Sequence, residues 1–540
     1  MNAKYFWVAC LLSAILLTIA WPPIPYTSPL LLIGLVPLLW VFDQIGNQEG
    51  KKGKAYFKFA FFTFFIWNTF SIYWVYNAID SASQDYIGHF ISLLVSLIPF
   101  GLGAMIMCSA FWLYGRLKEV SHRYLAYIGL ISFYMAGEYL HQSWDLAFPW
   151  MNLGNGFASF HQLIQWYEYT GVYGGTLWIL LSNILIFEVI RNFKSNKKWK
   201  IISFTCAWIL LPITCSIIIY KNYEEVEMPV NVVVVQPNID PYGKFGEISP
   251  SSQLETLIQL SASQAQPHTE YFIWPETALP IYAVEDQIND YPQIQRTKQF
   301  LNPYKNATLI TGIESIKWYA GKGSISAKES DKPGFYYDNF NSALQLENGE
   351  NTFFYHKSKL VPGVEKLPFP KLFNFLAPVF KELGGSVSGW GWQTSPGVFY
   401  SNAGIGVAPV ICYESIWGDW VGQAVKEGAQ FIAIITNDGW WGNTSGKDQH
   451  FLYAKLRALE TRRYIVRSAN TGISGFINQR GDIISKSEWW VPTALQANIN
   501  LNDQTTFYVK NGDVLAKLFT FISVIGLIYL AYKQNFRRKT

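Results

Sequence analysis

Cys412, Glu276 and Lys357 are the residue types of a thiol-dependent acyl-transfer site. Each follows an apolar run that has the composition of a β-strand. A thiol attacks a carbonyl well only as the thiolate, so it needs a base for its proton and a positive charge for the anion. We expect Glu276 to be that base and Lys357 that charge. Lys357 would also stabilise the oxyanion of the tetrahedral intermediate, beside the backbone N–H of Tyr413.

Cys412 has no cysteine partner in the soluble part of the sequence. The other four, Cys10, Cys108, Cys206 and Cys215, lie in apolar segments of membrane length. An unpaired thiol in an exported domain is either an inert core residue or a nucleophile. Alone, Cys412 would favour the first interpretation. The charged residues at the ends of two other strands favour the second.

The chain contains several segments long enough to cross a membrane. Half of its 540 residues are apolar and 17% are aromatic, which exceeds the usual share in soluble enzymes. A helix needs roughly 17 to 25 mostly apolar residues to span a bilayer. This criterion predicts about eight spans, near residues 5–22, 27–43, 57–76, 89–114, 123–140, 171–190, 200–220 and 514–532. The first is interpreted as a retained anchor rather than a cleaved signal peptide, because a second span follows almost at once.

The positive charges are distributed unevenly between the loops. Loops 22–28, 78–88 and 141–170 contain no Lys or Arg, whereas the alternate loops and the tail are rich in them. Lysine and arginine mark the cytoplasmic side of bacterial membrane proteins. We therefore expect cytoplasmic termini, a membrane domain of seven helices over 1–220, an external domain over 221–513 and a last helix with its tail over 514–540. The net charge of +4 reflects this topology and does not indicate nucleic-acid binding.

Segment 221–513 has the pattern of a layered α/β domain. Several of its short β-rich runs are apolar throughout, which is typical of strands buried on both faces. The predicted strands are 230–236, 271–274, 307–312, 340–346, 352–356, 405–411 and 431–436, and residues 448–467 are predicted to form an amphipathic helix. The sequence contains no His/Cys cluster with the spacing of a metal site, so no metal is expected.

Three motifs contain the reactive residues: Trp274-Pro-Glu-Thr-Ala278, Lys357-Ser-Lys-Leu-Val-Pro-Gly-Val-Glu365 and Ile411-Cys-Tyr-Glu-Ser415. Their order resembles the nitrilase, or carbon–nitrogen hydrolase, superfamily, which implies a four-layer αββα sandwich. With the flanking spans, the whole chain resembles the apolipoprotein N-acyltransferases of the bacterial inner membrane. Phe148-Pro-Trp-Met151 and Thr436-Asn-Asp-Gly-Trp-Trp441 extend this resemblance.

The resemblance implies a reaction and a set of site residues. Such enzymes move an acyl chain from a phospholipid, typically phosphatidylethanolamine, through a cysteine thioester to the α-amine of a diacylglyceryl-cysteine on an apolipoprotein. This is the last step of lipoprotein maturation and needs no cofactor. Glu276, Lys357 and Cys412 would be catalytic, with Glu365, Tyr413 and Glu414 as supporting residues. The implied substrate-binding residues are Phe245, Trp150, Glu138, Asn437 and Trp440.

Two other functions fit parts of the sequence. A membrane-anchored amidase or nitrilase would use the same three residues with water as the acceptor. A non-enzymatic lipoprotein-binding protein with an inactive domain is disfavoured, because all three reactive residues are present. The resemblance also implies an inner-membrane protein with a periplasmic catalytic domain. The aromatic, proline-broken segment 367–391 is expected to be either a mobile lid over the site or a segment packed on the domain core.

Overall fold

The structure is a computed structural model that describes residues 3–80, 86–241, 243–244, 246, 248–369 and 389–539. The chain forms two compact units. The first comprises residues 1–222 with 511–540, and the second comprises 223–510. The segment 367–391, expected to be either a mobile lid or a segment packed on the domain core, lies largely outside the described residues.

The first unit is helical. Its helices are α1 (Ala3–Ile19), α2 (Leu31–Gly34), α3 (Val36–Gly46), α4 (Gly53–Ser71), α5 (Trp74–Asp80), α6 (Tyr86–Lys118), α7 (Arg123–His141), α8 (Tyr167–Arg191), α9 (Lys198–Asn222) and, at the end of the chain, a helix over Val514–Lys539. Short 3-10 helices cover Ser28–Leu30, Pro149–Met151 and Leu153–Leu163.

Several of these helices have the length and apolarity of membrane spans. Within the described ranges, five helical segments meet both criteria, and α4 with α5 would make a sixth although they are bent by 63°. The segment Lys4–Ile19 is apolar but short. The structure thus supports a membrane protein with several apolar helices, whereas the predicted count of eight spans stays a prediction.

The second unit contains two β-sheets. Sheet I has eight strands: β1 (Pro229–Gln236), β2 (Tyr271–Ile273), β3 (Leu279–Val284), β4 (Thr308–Ala320), β5 (Lys328–Glu329), β6 (Phe335–Leu346), β7 (Thr352–His356) and, from later in the chain, a strand over Thr493–Asn500. Strands β1, β2 and β4 are parallel, and β6 and β7 follow as antiparallel neighbours. Because β7 is antiparallel to β6, it runs in the same direction as β2, so the carboxyl ends of β2 and β7 point to the same edge.

Sheet II has six strands: β8 (Phe399–Tyr400), β9 (Gly406–Ile411), β10 (Phe431–Thr436), β11 (Ile465–Ala469), β12 (Gly475–Ile477) and β13 (Ile483–Lys486). Its three central strands, β9, β10 and β11, are parallel. The strand over Thr493–Asn500, now β14, returns the chain to pair with β1 of sheet I.

The two sheets face each other and each is covered by helices. The helices of this unit are α10 (Pro250–Gln264), α11 (Pro292–Leu301), α12 (Gly418–Lys426), α13 (Ser445–Thr461) and α14 (Phe507–Asn511). The helix over Val514–Lys539, named α15, belongs to the first unit. Helices α10 and α11 pack with sheet I in one apolar core, and α12 and α13 pack with sheet II in another. Between the sheets, the Ser468 hydroxyl donates to the Val235 carbonyl over 2.7 Å. The predicted αββα order is confirmed.

The apolar runs predicted the buried strands well and the exposed ends poorly. Strand 431–436 has the predicted bounds, but β4 and β6 extend to Ala320 and back to Phe335 as a long, partly exposed hairpin. The predicted helix 448–467 is wrong at its carboxyl end. Arg462 adopts φ +51°, which ends α13, and residues 465–469 form β11 instead.

Candidate active site

The three predicted reactive residues follow the carboxyl ends of strands in facing sheets. Glu276 follows β2 and Lys357 follows β7, both in sheet I, whereas Cys412 follows β9 in sheet II. Functional groups commonly assemble at the carboxyl ends of strands in α/β folds. The fold therefore brings residues 136 positions apart in the sequence to one edge.

The turn that carries Glu276 is pressed closely against β4. Trp274 N donates to the Ile310 carbonyl over 2.9 Å, and Gly312 N donates to the Pro275 carbonyl over 3.0 Å. A Cβ on Gly312 would lie 2.6 Å from the Cα of Glu276. Thr277 adopts φ +51°, a conformation that residues other than glycine rarely adopt. The backbone of the expected base is thus fixed by a glycine on the neighbouring strand.

Lys357 is buried and bonded to two carboxylates. Its Nζ lies 3.1 Å from Oε1 of Glu276 and 2.7 Å from Oε1 of Glu365, and 1% of the side chain is exposed. Burial lowers the pKa of Lys357, but Glu276, Glu365 and Cys412 act against it and raise the pKa well above its usual value. Lys357 is therefore a permanent cation beside both the base and the thiol.

Asn341 on β6, like Lys357, bonds to the carboxylates of both Glu276 and Glu365. Its Nδ2 donates to Oε1 of Glu276 over 2.8 Å and to Oε1 of Glu365 over 3.3 Å. Glu365 is held further by the backbone N–H of Val361, which donates to Oε2 over 2.8 Å. Both glutamates are thus oriented by charged and neutral donors, and the role of Glu365 as a supporting residue stays a prediction.

Cys412 is buried and begins a short 3-10 helix, Cys412–Ile416. Its backbone adopts φ +51°, and such strained residues cluster at functional sites. Burial and the charge of Glu276 raise the pKa of the Cys412 thiol, and Lys357 offsets only part of this effect. Burial dominates, so the resting thiol is protonated and requires a base.

Glu414 connects the end of β9 to the end of β7. Its carboxylate accepts from the backbone N–H of Ile411 over 2.9 Å and of Ser358 over 2.6 Å. The Tyr355 hydroxyl donates to both of its oxygens, over 2.9 and 3.0 Å. Burial raises the pKa of Glu414, an effect that these bonds partly offset. Glu414 thus ties the loop of Lys357 to the turn of Cys412. Tyr413, also predicted as supporting, is buried with its ring 4.8 Å from that of Trp417.

A buried network of hydrogen bonds and an ion pair supports the backbone of Cys412. His450 Nε2 lies 3.2 Å from the Cys412 carbonyl, so it carries the proton and donates. Its unprotonated Nδ1 accepts from the Arg467 guanidinium over 2.8 Å, and Arg467 also pairs with Asp438 over 2.9 Å. Burial and Arg467 lower the pKa of His450, which keeps the ring neutral. The contacts of His450 thus hold the backbone of Cys412 in place.

The predicted substrate-binding residues have varied surroundings. Glu138 accepts from Leu153 N over 2.6 Å and from the Thr176 hydroxyl over 2.8 Å, so both oxygens are engaged within the first unit. Trp150 is fully buried against Trp74, with ring centroids 4.8 Å apart.

The other three predicted substrate contacts belong to the second unit. The Asn437 side chain accepts from the Thr471 hydroxyl over 2.8 Å, and Trp440 is 41% exposed. Phe245 lies outside the described residues. Their roles toward substrate stay predictions.

Sequence reasoning missed several residues of the site. Asn341 lies inside a strand that was predicted, but a polar residue within that strand gave no reason to place it beside Glu276. Tyr355, Asp438 and Arg467 were missed in the same way, because their partners are distant in sequence. Among the described residues, no group of three His, Cys, Asp or Glu side chains has the arrangement of a metal site.

A buried thiol with a carboxylate base and a fixed ammonium defines a cysteine-dependent acyl-transfer site. Comparison with known proteins agrees with this chemistry. The model of the carbon–nitrogen hydrolase family matches residues 231–507, and the model of the apolipoprotein N-acyltransferase N-terminal domain matches residues 13–185. The chain therefore belongs to the carbon–nitrogen hydrolase family, in the branch that joins this domain to the N-terminal domain of apolipoprotein N-acyltransferases.

Curated relatives are similar over nearly the whole chain. Apolipoprotein N-acyltransferase from Chlorobaculum tepidum is 27% identical over 537 residues, covering 97% of this chain and 96% of that protein. The protein of the same name from Geobacter metallireducens is 28% identical over 557 residues, covering 99% and 96%. Among solved structures, an amidase of the nitrilase superfamily from Nesterenkonia AN1 is 14% identical, with a TM-score of 0.35, and covers 53% of this chain and 95% of that chain.

Proposed function

We propose that this chain transfers a fatty acyl group from a phospholipid to the N-terminal α-amine of a diacylglyceryl-cysteine in apolipoproteins. The observation that carries the proposal is the buried Cys412 beside Glu276 and Lys357, in a domain that the chain enters and leaves through the apolar helices α9 and α15. Both substrates are anchored in lipid, and such a tether keeps the thiol at their level. The donor is proposed to be phosphatidylethanolamine-like.

The first half-reaction forms a thioester. Glu276 accepts the thiol proton of Cys412, and the sulfur attacks the ester carbonyl of the donor. Lys357, held as a cation by Glu276 and Glu365, stabilises the negative charge of the tetrahedral intermediate. The carbon–oxygen bond then breaks, and Glu276 returns the proton to the departing lysophospholipid oxygen.

The second half-reaction uses the same residues in reverse. The α-amine of the apolipoprotein attacks the thioester carbonyl, and Glu276 accepts a proton from that amine. The carbon–sulfur bond breaks, the thiolate takes the proton back, and the amide product leaves. The raised pKa of the thiol supports this cycle, because it makes Cys412 a neutral resting group that needs Glu276 at each turnover.

The proposal includes a membrane topology. The distribution of Lys and Arg supports cytoplasmic termini, eight spans and a periplasmic catalytic domain in the inner membrane. Within this topology the membrane domain covers residues 1–220, the catalytic domain 221–513 and the last span with its tail 514–540. Glu365, Tyr413 and Glu414 support the catalytic residues, and Phe245, Trp150, Glu138, Asn437 and Trp440 are assigned to substrate binding.

Intact-mass spectrometry of the purified protein after incubation with phosphatidylethanolamine tests the proposal. We expect a mass increase of one acyl group that hydroxylamine removes and that Cys412→Ala abolishes. A matched control replaces the two exposed cysteines of α9, Cys206 and Cys215, by Ala and should keep the adduct. An adduct that survives Cys412→Ala contradicts the assigned nucleophile. Release of free fatty acid at one rate with or without a diacylglyceryl-cysteine peptide indicates a hydrolase.

A further inference from the structure

A second buried lysine lies behind the expected base. Lys244 follows β1, and 2% of it is exposed. Its Nζ donates to the backbone carbonyl of Glu276 over 3.4 Å. Its own carbonyl accepts from Gln253 Nε2 over 2.6 Å, and Gln253 is itself buried on α10. Burying an ammonium group costs free energy unless the group is paired or hydrogen-bonded, so the burial of Lys244 needs an explanation.

Glu314 supplies a third carboxylate to the same region. It lies on β4 directly opposite Asn341 of β6, so the two side chains share one face of sheet I. It is buried, and its Oε2 has no hydrogen-bond partner among the described residues. Burial raises the pKa of Glu314 to about 7, with the nearby charge of Glu276 acting in the same direction and Lys244 against it.

The titratable groups around Glu276 come from four elements. The loop after β1 contributes Lys244, β4 contributes Glu314, the end of β7 contributes Lys357, and the turn after β9 contributes Cys412. Glu365 reaches it through the shared Lys357 and Asn341. Three carboxyl groups, Glu276, Glu314 and Glu365, therefore share two ammonium groups, Lys244 and Lys357. Loss of Lys244 would remove one of the two positive charges near Glu276, and a protonated glutamate cannot accept the thiol proton.

We propose that Lys244 is a positioning residue for the general base: it holds the Glu276 carbonyl and keeps a positive charge near the Glu276 carboxylate, so that Glu276 is ionised when Cys412 transfers its proton. The inference rests on the proposed role of Glu276 as base. Burial lowers the pKa of Lys244 to about 8, against the pull of Glu276 and Glu314, so the side chain is still mainly charged at neutral pH.

The test is the pH dependence of a single acylation of Cys412 by a p-nitrophenyl fatty-acyl ester, measured by mass spectrometry on quenched samples of the full chain in detergent. This leaving group departs without a proton, so the rate reports thiol deprotonation. In Lys244→Met, loss of a positive charge favours protonated Glu276. The acid limb of the pH–rate profile should move to higher pH by about one unit, which makes acylation about tenfold slower at a given pH on that limb. The acylation rate on the alkaline plateau should fall by less than about threefold.

Lys244→Arg provides the matched control. It keeps the positive charge, so its acid limb should stay close to that of the wild type. A lysine that only stabilises the fold would lower the rate equally at every pH. Either an unmoved acid limb in Lys244→Met or an equal displacement in Lys244→Arg overturns the inference. Absence of a thioester in the wild-type protein would instead overturn the proposed function.

Discussion

Sheet I and sheet II both contribute buried polar and charged side chains to the site, but the hydrogen-bond partners of these side chains differ. In sheet I, Lys357 and Asn341 bond directly to the Glu276 carboxylate. In sheet II, the bonds of His450 and Glu414 end on the backbone around Cys412. The bonds on sheet I therefore act on the charge of the expected base, and those on sheet II hold the backbone of the Cys412 turn. We expect variants of the Glu276 carboxylate and its partners to lose rate while staying folded, and variants of the network around the Cys412 turn to lose stability first.

The largest expected effect on rate comes from Glu276→Gln. The amide keeps the size of the side chain but cannot accept the thiol proton, and general-base catalysis contributes about 10²- to 10⁴-fold. Acylation of Cys412 should fall by about that factor, measured by single-turnover mass spectrometry. Glu255→Gln, a half-exposed glutamate paired with Arg296, is the matched control and should acylate normally. A folded Glu276→Gln protein with near-normal acylation would show that sheet I does not supply the base.

Asp438→Asn should cause the largest loss of stability. Asp438 and Arg467 are both fully buried, so neutralising one partner leaves the other as an uncompensated charge. Removing one member of a buried pair typically costs about 3–5 kcal/mol. Thermal unfolding in detergent should show this as a clearly lower midpoint.

The control for this variant is Asp482→Asn, which breaks the partly exposed pair with Arg480. Such pairs contribute about 0–1 kcal/mol, so its midpoint should barely change. Equal midpoints for the two variants would remove the distinction between the sheets, because sheet II would then not depend on its buried network.

The smallest expected effect is that of Tyr355→Phe. The hydroxyl donates to Glu414 and accepts from Trp420 Nε1 over 3.2 Å, so its loss weakens the bond network between β7 and β9. Leaving buried polar groups partly unsatisfied costs about 1–3 kcal/mol. We expect a modest fall in unfolding midpoint with acylation reduced less than in Glu276→Gln. Tyr337→Phe, whose ring packs on Trp318, should leave both measurements unchanged. A Tyr355→Phe rate as low as that of Glu276→Gln would place Glu414 among the groups that act on the reaction itself.

The sequence predicts the local parts of this molecule and fails where distant segments meet. Apolar runs identify the central strands, because strands that are buried on both faces are apolar throughout. The residue types at strand ends identify Glu276, Lys357 and Cys412. No local sequence pattern marks Asn341 or Lys244, since the partners of each residue come near it only in the folded domain. The end of α13 was misplaced for a related reason: Ile465 and Val466 are apolar enough for either a helix or a buried strand, and pairing with β10 decides between them.

The close approach of β4 to the Glu276 turn has a consequence for how this domain tolerates mutation. A methyl group at position 312 would meet the backbone of Glu276 and of Thr277, neither of which can yield as a flexible side chain can. Substitution there would displace the base from Cys412 without altering any reacting atom. A residue with no side chain is thus as much a determinant of activity as the charged residues, and a mutational scan would find it intolerant although it performs no chemistry.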